Sequence, residues 1–171
     1  MYSKSMLNTA NRILNNTGDA EDAMQEGFLS AFTSLNKYNN SVSFGTWLKR
    51  IVINKSLDIY RKKRKLLFTD ELDKTGGNET EYSPEIFENP DYRSELINLI
   101  HNTLYVLPDG YRIVFTLNLI EGYDHDEISG ILSITPSTSR SQLARAKKMM
   151  IKHLNESSIF DKYKSCYGKF Y

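Results

Sequence analysis

The residues with the clearest chemical use are the cations of one C-terminal stretch. Residues 136–153 contain no aspartate or glutamate, and their basic residues are Arg140, Arg145, Lys147, Lys148 and Lys152. Arginine and lysine without acidic neighbours bind phosphate oxygens, so a nucleic acid is the expected partner. A surface helix with solvated basic residues is the plainer interpretation, and the complete lack of acids disfavours it.

A second cationic block occupies residues 49–65, where Asp58 is the only acid. Its nucleic-acid-binding candidates recur at near-helical spacing, so that one helix face could follow a phosphate backbone. They are Arg50, Asn54, Asp58, Arg61 and Lys62. Phe44 and Trp47 could stack on unpaired bases. Both lie on the inward stripe of the predicted helix, however, and core packing is the favoured interpretation.

No set of residues predicts catalysis. His101, His125 and His153 are scattered, and Cys166 has no evident activating base. We therefore expect no enzyme activity, no metal and no cofactor, and a helical enzyme is the least favoured class. A single cysteine, a polar N-terminus and the lack of any run of 18 apolar residues predict a cytoplasmic chain without membrane insertion or a signal peptide.

Apolar residues recur at helical spacing almost throughout, which predicts an all-α fold. Residues 66–92 break this pattern: they are acidic, contain Gly76, Gly77, Pro84 and Pro90, and read as a flexible linker. The predicted organisation is two small helical domains, 1–65 and 93–154, joined by the linker 66–92 and followed by a tail, 155–171.

One helix of the first domain is expected to begin with Asp19 as its N-cap. Its predicted buried stripe is Ala20, Ala23, Met24, Gly27, Phe28, Ala31, Phe32 and Leu35. The opposite face carries acids and an exposed Leu29, which suits a protein partner with a basic surface. Simple solvation of helix-start acids remains an equally good interpretation. The next helix is predicted to start at Phe44 and to become basic by Lys65.

The second domain is predicted to contain a helix-turn-helix. Asp124 and Glu127 resemble a capping box, and Thr135 and Pro136 suit the start of a longer helix. The predicted groove face consists of Ser137, Arg140, Ser141, Ala144 and Lys148, and Thr138, Gln142 and Arg145 flank it; all of these except Ala144 are candidates for binding nucleic acid. Leu143, Ala146 and Met150 form the inward side. Upstream, an inward stripe through Leu96, Ile100, Leu104 and Leu107 ends at Pro108, and a helix over 109–121 is expected to stop at Gly122.

Three segments in this order resemble known conserved regions. The run from Asp19 to Leu29 resembles the second region of bacterial sigma factors, and residues 43–62 resemble the segment that reads and opens the −10 promoter element. Residues 107–148 resemble the fourth region, which reads the −35 element. The chain is identified as resembling extracytoplasmic function sigma factors, in which the first helix begins further upstream, so a shortened N-terminus is expected here.

The resemblance implies partners and roles. Core RNA polymerase is expected to bind through the clamp of its largest subunit to Asp19, Asp22, Gln25, Glu26 and Leu29, and promoter DNA to bind both basic helices. An anti-sigma factor is expected as a regulator. The alternative, a free-standing helix-turn-helix transcriptional regulator, explains residues 123–153 but gives no reason for the patterns at 19–29 and 43–62.

Overall fold

The computed structural model describes residues 2–70 and 92–157, and these residues form seven α-helices and no strand. The predicted all-α class is therefore confirmed. The chain divides into two compact units, an N-terminal unit (Met1–Thr80) and a C-terminal unit (Glu81–Tyr171). Most of the predicted linker, residues 71–91, and most of the predicted tail, residues 158–171 with Cys166, lie outside the described residues.

The first two helices of the N-terminal unit meet at a short turn. Helix α1 spans Ser3–Leu14 and ends where Asn15 adopts a left-handed conformation, with φ of 51°. Helix α2 spans Thr17–Thr33, and its N-cap is Asn16, whose side chain accepts a hydrogen bond of 2.9 Å from the backbone N–H of Asp19. The prediction of Asp19 as N-cap was wrong, because Asn16 can cap the helix from three residues upstream.

Small residues bring α2 close to α3, which spans Phe44–Asp70. The buried line of α2 consists of Ala20, Ala23, Gly27 and Ala31. A Cβ atom placed on Gly27 would lie only 2.6 Å from Cγ2 of Val52, so the absence of a side chain allows the contact. Together with Met6, Ala10 and Leu48, these residues form the apolar core of the unit.

The far end of α2 departs from the prediction. Phe32 and Leu35 were expected to be buried but are 73% and 50% exposed. Each helical residue advances by about 100°, so Phe32 lies well round the helix from the buried Ala31. Leu35 already belongs to a 3-10 turn, Leu35–Lys37. The predicted start of α3 at Phe44 is confirmed, but the helix continues to Asp70 rather than ending at 65.

The described residues of the C-terminal unit, 92–157, form four α-helices. Helix α4 spans Tyr92–Val106, α5 Asp109–Phe115, α6 His125–Leu132 and α7 Pro136–Asn155. A π-helical turn, Thr116–Ile120, extends α5, and Gly122 with φ of 81° follows it. The breaks at Pro108 and Gly122 match the sequence prediction. The π-turn was not predicted, since apolar spacing does not distinguish it from a final turn of α-helix.

The core of the C-terminal unit gathers α4, α5 and α7 around Leu104, Leu107, Ala146 and Met150. Ile100 was expected to belong to this core but is 42% exposed. Of the predicted stripe, Leu104 and Leu107 are buried near the contact between α4 and α7, and the side chain of Leu96 lies outside the described residues. Within residues 2–70 and 92–157, no helix combines the length and the apolar character needed to cross a bilayer.

Candidate nucleic-acid interface

Helices α6 and α7 form a capped helix-turn-helix, as predicted. Oδ1 of Asp124 accepts a hydrogen bond of 2.7 Å from the N–H of Glu127, and Oε2 of Glu127 accepts one of 3.0 Å from the N–H of Asp124. Ser133 ends α6 in a left-handed conformation, with φ of 56°. Oγ1 of Thr135 then accepts from the N–H of Thr138 at 3.0 Å and starts α7. Both helix starts are thus fixed by their own side chains.

Helix α7 has a buried line and an open face. Ser139, Leu143, Ala146 and Met150 are buried at helical spacing. The predicted groove face is exposed on the other side of the helix, together with the flanking Arg145: Ser137, Arg140, Ser141, Ala144, Arg145 and Lys148. This exposed set combines small side chains, which permit close approach, with cations.

The cations of α7 are available to a polyanion. Among the described residues, no carboxylate lies within ion-pair distance of Arg140, Lys147 or Lys148. Arg145 has a contact of 3.5 Å from its Nη1 to the hydroxyl of Tyr111. An exposed cation without an acidic neighbour contributes its full charge to the local potential, so this face attracts phosphate.

Two of the residues predicted to flank the groove face are less accessible than the face itself. Thr138 is half-buried, and its hydroxyl lies 2.8 Å from that of Thr135 within the cap. Gln142 is half-buried, and its amide faces α5, since a Cβ atom on Gly110 would lie 3.6 Å from Nε2 of Gln142. These two side chains therefore already contact their own unit.

Helix α3 presents the second cationic face. Its five candidate residues are all exposed and share one side of the helix: Arg50, Asn54, Asp58, Arg61 and Lys62. Arg61 donates from Nη1 to Oδ1 of Asp58 at 3.1 Å, so Asp58 helps to orient this arginine. The buried side of the same helix carries Leu48, Val52, Ile53 and Leu57.

Four aromatic rings surround the start of α3. The Phe44 centroid lies 5.7 Å from each of Tyr2, Tyr38 and Trp47, and Tyr38 lies 5.2 Å from Trp47. The Tyr38 hydroxyl donates to the carbonyl of Val42 at 2.8 Å. Phe44 and Trp47 are half-buried against the apolar core. Their structural role is thus confirmed, and it leaves part of the ring cluster accessible.

The acidic face of α2 lies opposite its small-residue line. Asp22, Gln25 and Leu29 are exposed, with Leu29 at 66%. Glu26 and Asp19 lie towards α3: Oε2 of Glu26 is 3.5 Å from Nζ of Lys55, and Asp19 pairs with Lys63. The acidic face of α2 is therefore linked by ion pairs to Lys55 and Lys63, two α3 residues outside the five candidates, which the sequence did not reveal.

One contact of the helix-turn-helix was not predicted from the sequence. Oγ of Ser139, a fully buried residue, lies 2.8 Å from Nδ1 of His125 at the start of α6. The spacing of the sequence could have predicted it, because Ser139 is the one polar residue in the buried line that continues through Leu143, Ala146 and Met150. A buried hydroxyl in such a line requires a hydrogen-bond partner. Among the described residues, no cluster of His, Cys, Asp and Glu has the grouping that holds a metal.

Solved structures share this fold. The sigma factor RpoE in complex with the anti-sigma factor NepR from Bartonella quintana superposes with a TM-score of 0.62, at 17% identity, over 90% of this chain and 92% of that one. CnrH in complex with the cytosolic domain of CnrY gives a TM-score of 0.52, at 23% identity, over 92% and 84%. At these identities the similarity establishes the fold.

Sequence comparisons establish the family. Residues 1–66 match the family model Sigma-70 region 2, and residues 97–150 match Sigma-70, region 4. The ECF RNA polymerase sigma factor SigW of Bacillus subtilis (strain 168) is 32% identical over 91% of this chain and 86% of its own length. The RNA polymerase sigma-H factor of Pseudomonas aeruginosa is 27% identical over 90% and 82%. The chain therefore belongs to the ECF RNA polymerase sigma factors, alternative sigma factors that bind core RNA polymerase and direct it to promoters.

Proposed function

We propose that the two cationic faces divide promoter recognition between them, with α7 reading the −35 element and α3 the −10 element. The observation that supports this most is the open face of α7, where exposed cations and small polar residues lie opposite a buried line. A helix of this kind enters the major groove with its N-terminal residues at the base edges.

Within α7 we assign different tasks to different side chains. Arg140 lies in the second turn, where a guanidinium can make two hydrogen bonds to a guanine edge. Ser137 and Ser141 lie beside it and can donate to bases or phosphates. Lys148 and Arg145 lie further along the helix and suit phosphate contacts, which position the helix without reading sequence.

For α3 we propose contact with the −10 element through Arg50, Asn54 and Arg61. Cations follow the phosphates, while the amide of Asn54 can bond to a base edge. The aromatic cluster of Tyr2, Tyr38, Phe44 and Trp47 lies at the start of the same helix, and accessible ring surface can stack on an unpaired base. This supports a role for the N-terminal unit in capturing melted DNA.

We propose that the acidic face of α2 docks on the clamp of the largest polymerase subunit. Asp22, Gln25 and Glu26 supply charge and hydrogen-bond acceptors, and the exposed Leu29 supplies apolar area. Interfaces of this kind combine an apolar centre with a polar rim. The exposed Phe32, which the sequence analysis placed in the core, extends the apolar part.

We further propose that the chain performs no catalysis itself and acts in the cytoplasm, where the polymerase supplies all chemistry. An anti-sigma factor is the expected regulator, since both similar solved structures described above are complexes with such a protein or with a cytosolic partner domain. The alternative, a free-standing regulator, would require only α6 and α7. It does not explain why residues 1–66 match Sigma-70 region 2.

Run-off transcription on a promoter library randomised at −35 and −10 tests the proposal. Core polymerase with this chain should enrich defined sequences at both elements, and the chain without core should bind the same duplexes far more weakly. Arg140→Ala should weaken −35 recognition by about 1–3 kcal/mol and leave the −10 preference unchanged. Equal transcription from all −35 sequences by the unmodified chain would contradict the proposed role of α7.

A further inference from the structure

A side-chain hydrogen bond joins the two helices of the helix-turn-helix at their starts. His125 is the first residue of α6, and Ser139 is the fourth residue of α7. The Nδ1 atom of His125 lies 2.8 Å from Oγ of Ser139, and Ser139 has no exposed surface. Either atom can be the donor, depending on the histidine tautomer.

The position of Ser139 makes this contact relevant to the groove face. Its neighbour Arg140 is exposed, while Ser139 itself begins the buried line that continues through Leu143 and Ala146. Because successive helical residues are about 100° apart, whatever fixes the rotation of α7 at Ser139 also fixes the direction of Arg140.

The apolar packing of α6 and α7 restrains that rotation less strictly. Ile128 of α6 and Leu143 of α7 are buried apolar residues. Apolar packing is non-directional, whereas a hydrogen bond weakens steeply away from its preferred angle. The turn between the helices fixes their connection, but it lies at the other end of α6 from His125.

We propose that His125 and Ser139 are positioning residues for −35 recognition. Their hydrogen bond sets the rotation of α7 relative to α6, and through it the aim of Arg140, an inference that rests on the proposed role of α7. A recognition constellation must be held within about 0.5 Å and 10–20° of its productive geometry. A directional contact inside the second turn meets that need, and neither side chain has to touch DNA.

Substitutions can separate positioning from stability. Ser139→Ala removes the hydroxyl without adding volume, and alanine is the better helix former. His125 is only half-buried, so water can take over its bond, and the thermal midpoint should not fall. His125→Asn keeps a polar atom near the place of Nδ1, whereas His125→Gln moves it outwards to about the place of Nε2. The pair thus differs mainly in where the hydrogen-bonding group lies.

The readout is run-off transcription by reconstituted holoenzyme on a library with a fixed −10 element and a randomised −35 element. The measured quantity is the output of the preferred −35 sequences divided by that of all others. The net contribution of one hydrogen bond predicts that Ser139→Ala and His125→Gln each lower this ratio by about fivefold. His125→Asn should stay within about twofold of the unmodified chain, and the double variant Ser139→Ala with His125→Gln should be no worse than either single one.

The control is Arg140→Ala, which tests the proposed role of α7 independently. If Ser139→Ala and His125→Gln keep the original ratio while Arg140→Ala lowers it, the positioning inference is wrong and the role of α7 stands. If Arg140→Ala also keeps the original ratio, the proposed role of α7 fails as well. The inference would also be overturned if the double variant lost as much of this ratio as the two single losses multiplied together. The same holds if His125→Asn lowered the ratio as much as His125→Gln.

Discussion

The two units of this sigma factor hold their helices together by different means. The N-terminal unit uses long helices, of 12, 17 and 27 residues, packed through alanine and glycine and joined by ion pairs between α2 and α3. The C-terminal unit contains α5 and α6, of only seven and eight residues. The starts of α6 and α7 carry side-chain caps at Asp124 and Thr135 and are connected by the bond between His125 and Ser139.

The difference follows from helix length and from the use of charge. Helices shorter than about 12 residues are marginal alone, so α6 depends on caps and on packing. In the N-terminal unit, Lys55 and Lys63 pair with carboxylates of the proposed polymerase-binding face. In α7, Arg140 and Lys148 have no such partner among the described residues. Charge therefore links α2 to α3 in the N-terminal unit, whereas the cations at Arg140 and Lys148 of α7 stay available for DNA.

The largest expected effect is on polymerase binding. Glu26→Lys places a cation on the acidic face, and like charges across an interface cost several kcal/mol, so affinity for core polymerase should fall by more than tenfold. The Glu26 side chain is 58% exposed, and the helical circular dichroism signal should remain unchanged. Co-purification and anisotropy titration measure the loss.

Asp126→Lys is the matched control, because Asp126 is an exposed acid of α6 and not part of the acidic face of α2. Its affinity for core polymerase should stay within about threefold of the original. Undiminished core binding by Glu26→Lys, or an equal loss in both variants, would remove the acidic face of α2 from the interface.

The next effect concerns the C-terminal unit. Arg112 is buried, donating from Nη1 to the carbonyl of Leu107 at 3.1 Å and from Nη2 to Oδ1 of Asp109 at 2.6 Å. Arg112→Met removes these charged hydrogen bonds and should lower the free energy of unfolding by about 2–3 kcal/mol. Lys147→Met, at an exposed position of α7, should change it by less than about 0.5 kcal/mol. Urea denaturation checks both, and equal stability of the two variants would contradict this account of the unit.

Two glycine substitutions should have opposite signs. Gly27→Ala places a Cβ atom 2.6 Å from Val52, and the overpacking should outweigh the gain in helix propensity, with a net loss of about 1–2 kcal/mol. Gly130→Ala meets nothing within 4 Å on α6 and should gain up to about 1 kcal/mol. Thermal denaturation distinguishes the two. A stabilising Gly27→Ala would show that α2 and α3 are not in close contact.

The smallest effect concerns the ion pair between Asp19 and Lys63. A double-mutant cycle of Asp19→Asn and Lys63→Gln should give a coupling below about 1 kcal/mol, because Lys63 is exposed. The coupling should shrink further in 1 M salt, where the Debye length is about 3 Å. A coupling that salt leaves unchanged would point to a buried contact rather than to the shared surface charge described here.

Much of the fold could be predicted from the sequence because its helix boundaries carry strong local signals. The capping box at Asp124, the start of α7 at Pro136 and the breaks at Pro108 and Gly122 are set by residues within one turn. Asp19 has a side chain suited to capping and was predicted as the N-cap of α2, but Asn16, three residues upstream, caps this helix instead.

Features that depend on distant partners could not be predicted. The exposure of Phe32, Leu35 and Ile100 is decided by which neighbouring helix reaches them, and apolar spacing carries no information about that. The ion pair between Asp19 and Lys63 joins residues 44 positions apart. The candidate site residues could be predicted from the distribution of basic and acidic residues along the chain. That Gln142 is half-buried could not, because it depends on the packing of α5 against α7.

Site-specific photo-crosslinking in the promoter complex tests the central claim most directly. A photoreactive amino acid replaces Ser141 on the exposed face of α7, Asn54 on that of α3, or, as a control, Asn102 on α4, all of them exposed. The holoenzyme is then irradiated on promoter DNA and the modified nucleotides are mapped. We predict that position 141 labels the −35 element, position 54 the −10 element, and position 102 neither. Labelling of neither element from 141 and 54, or of the same element from both, would contradict the proposed division of promoter recognition.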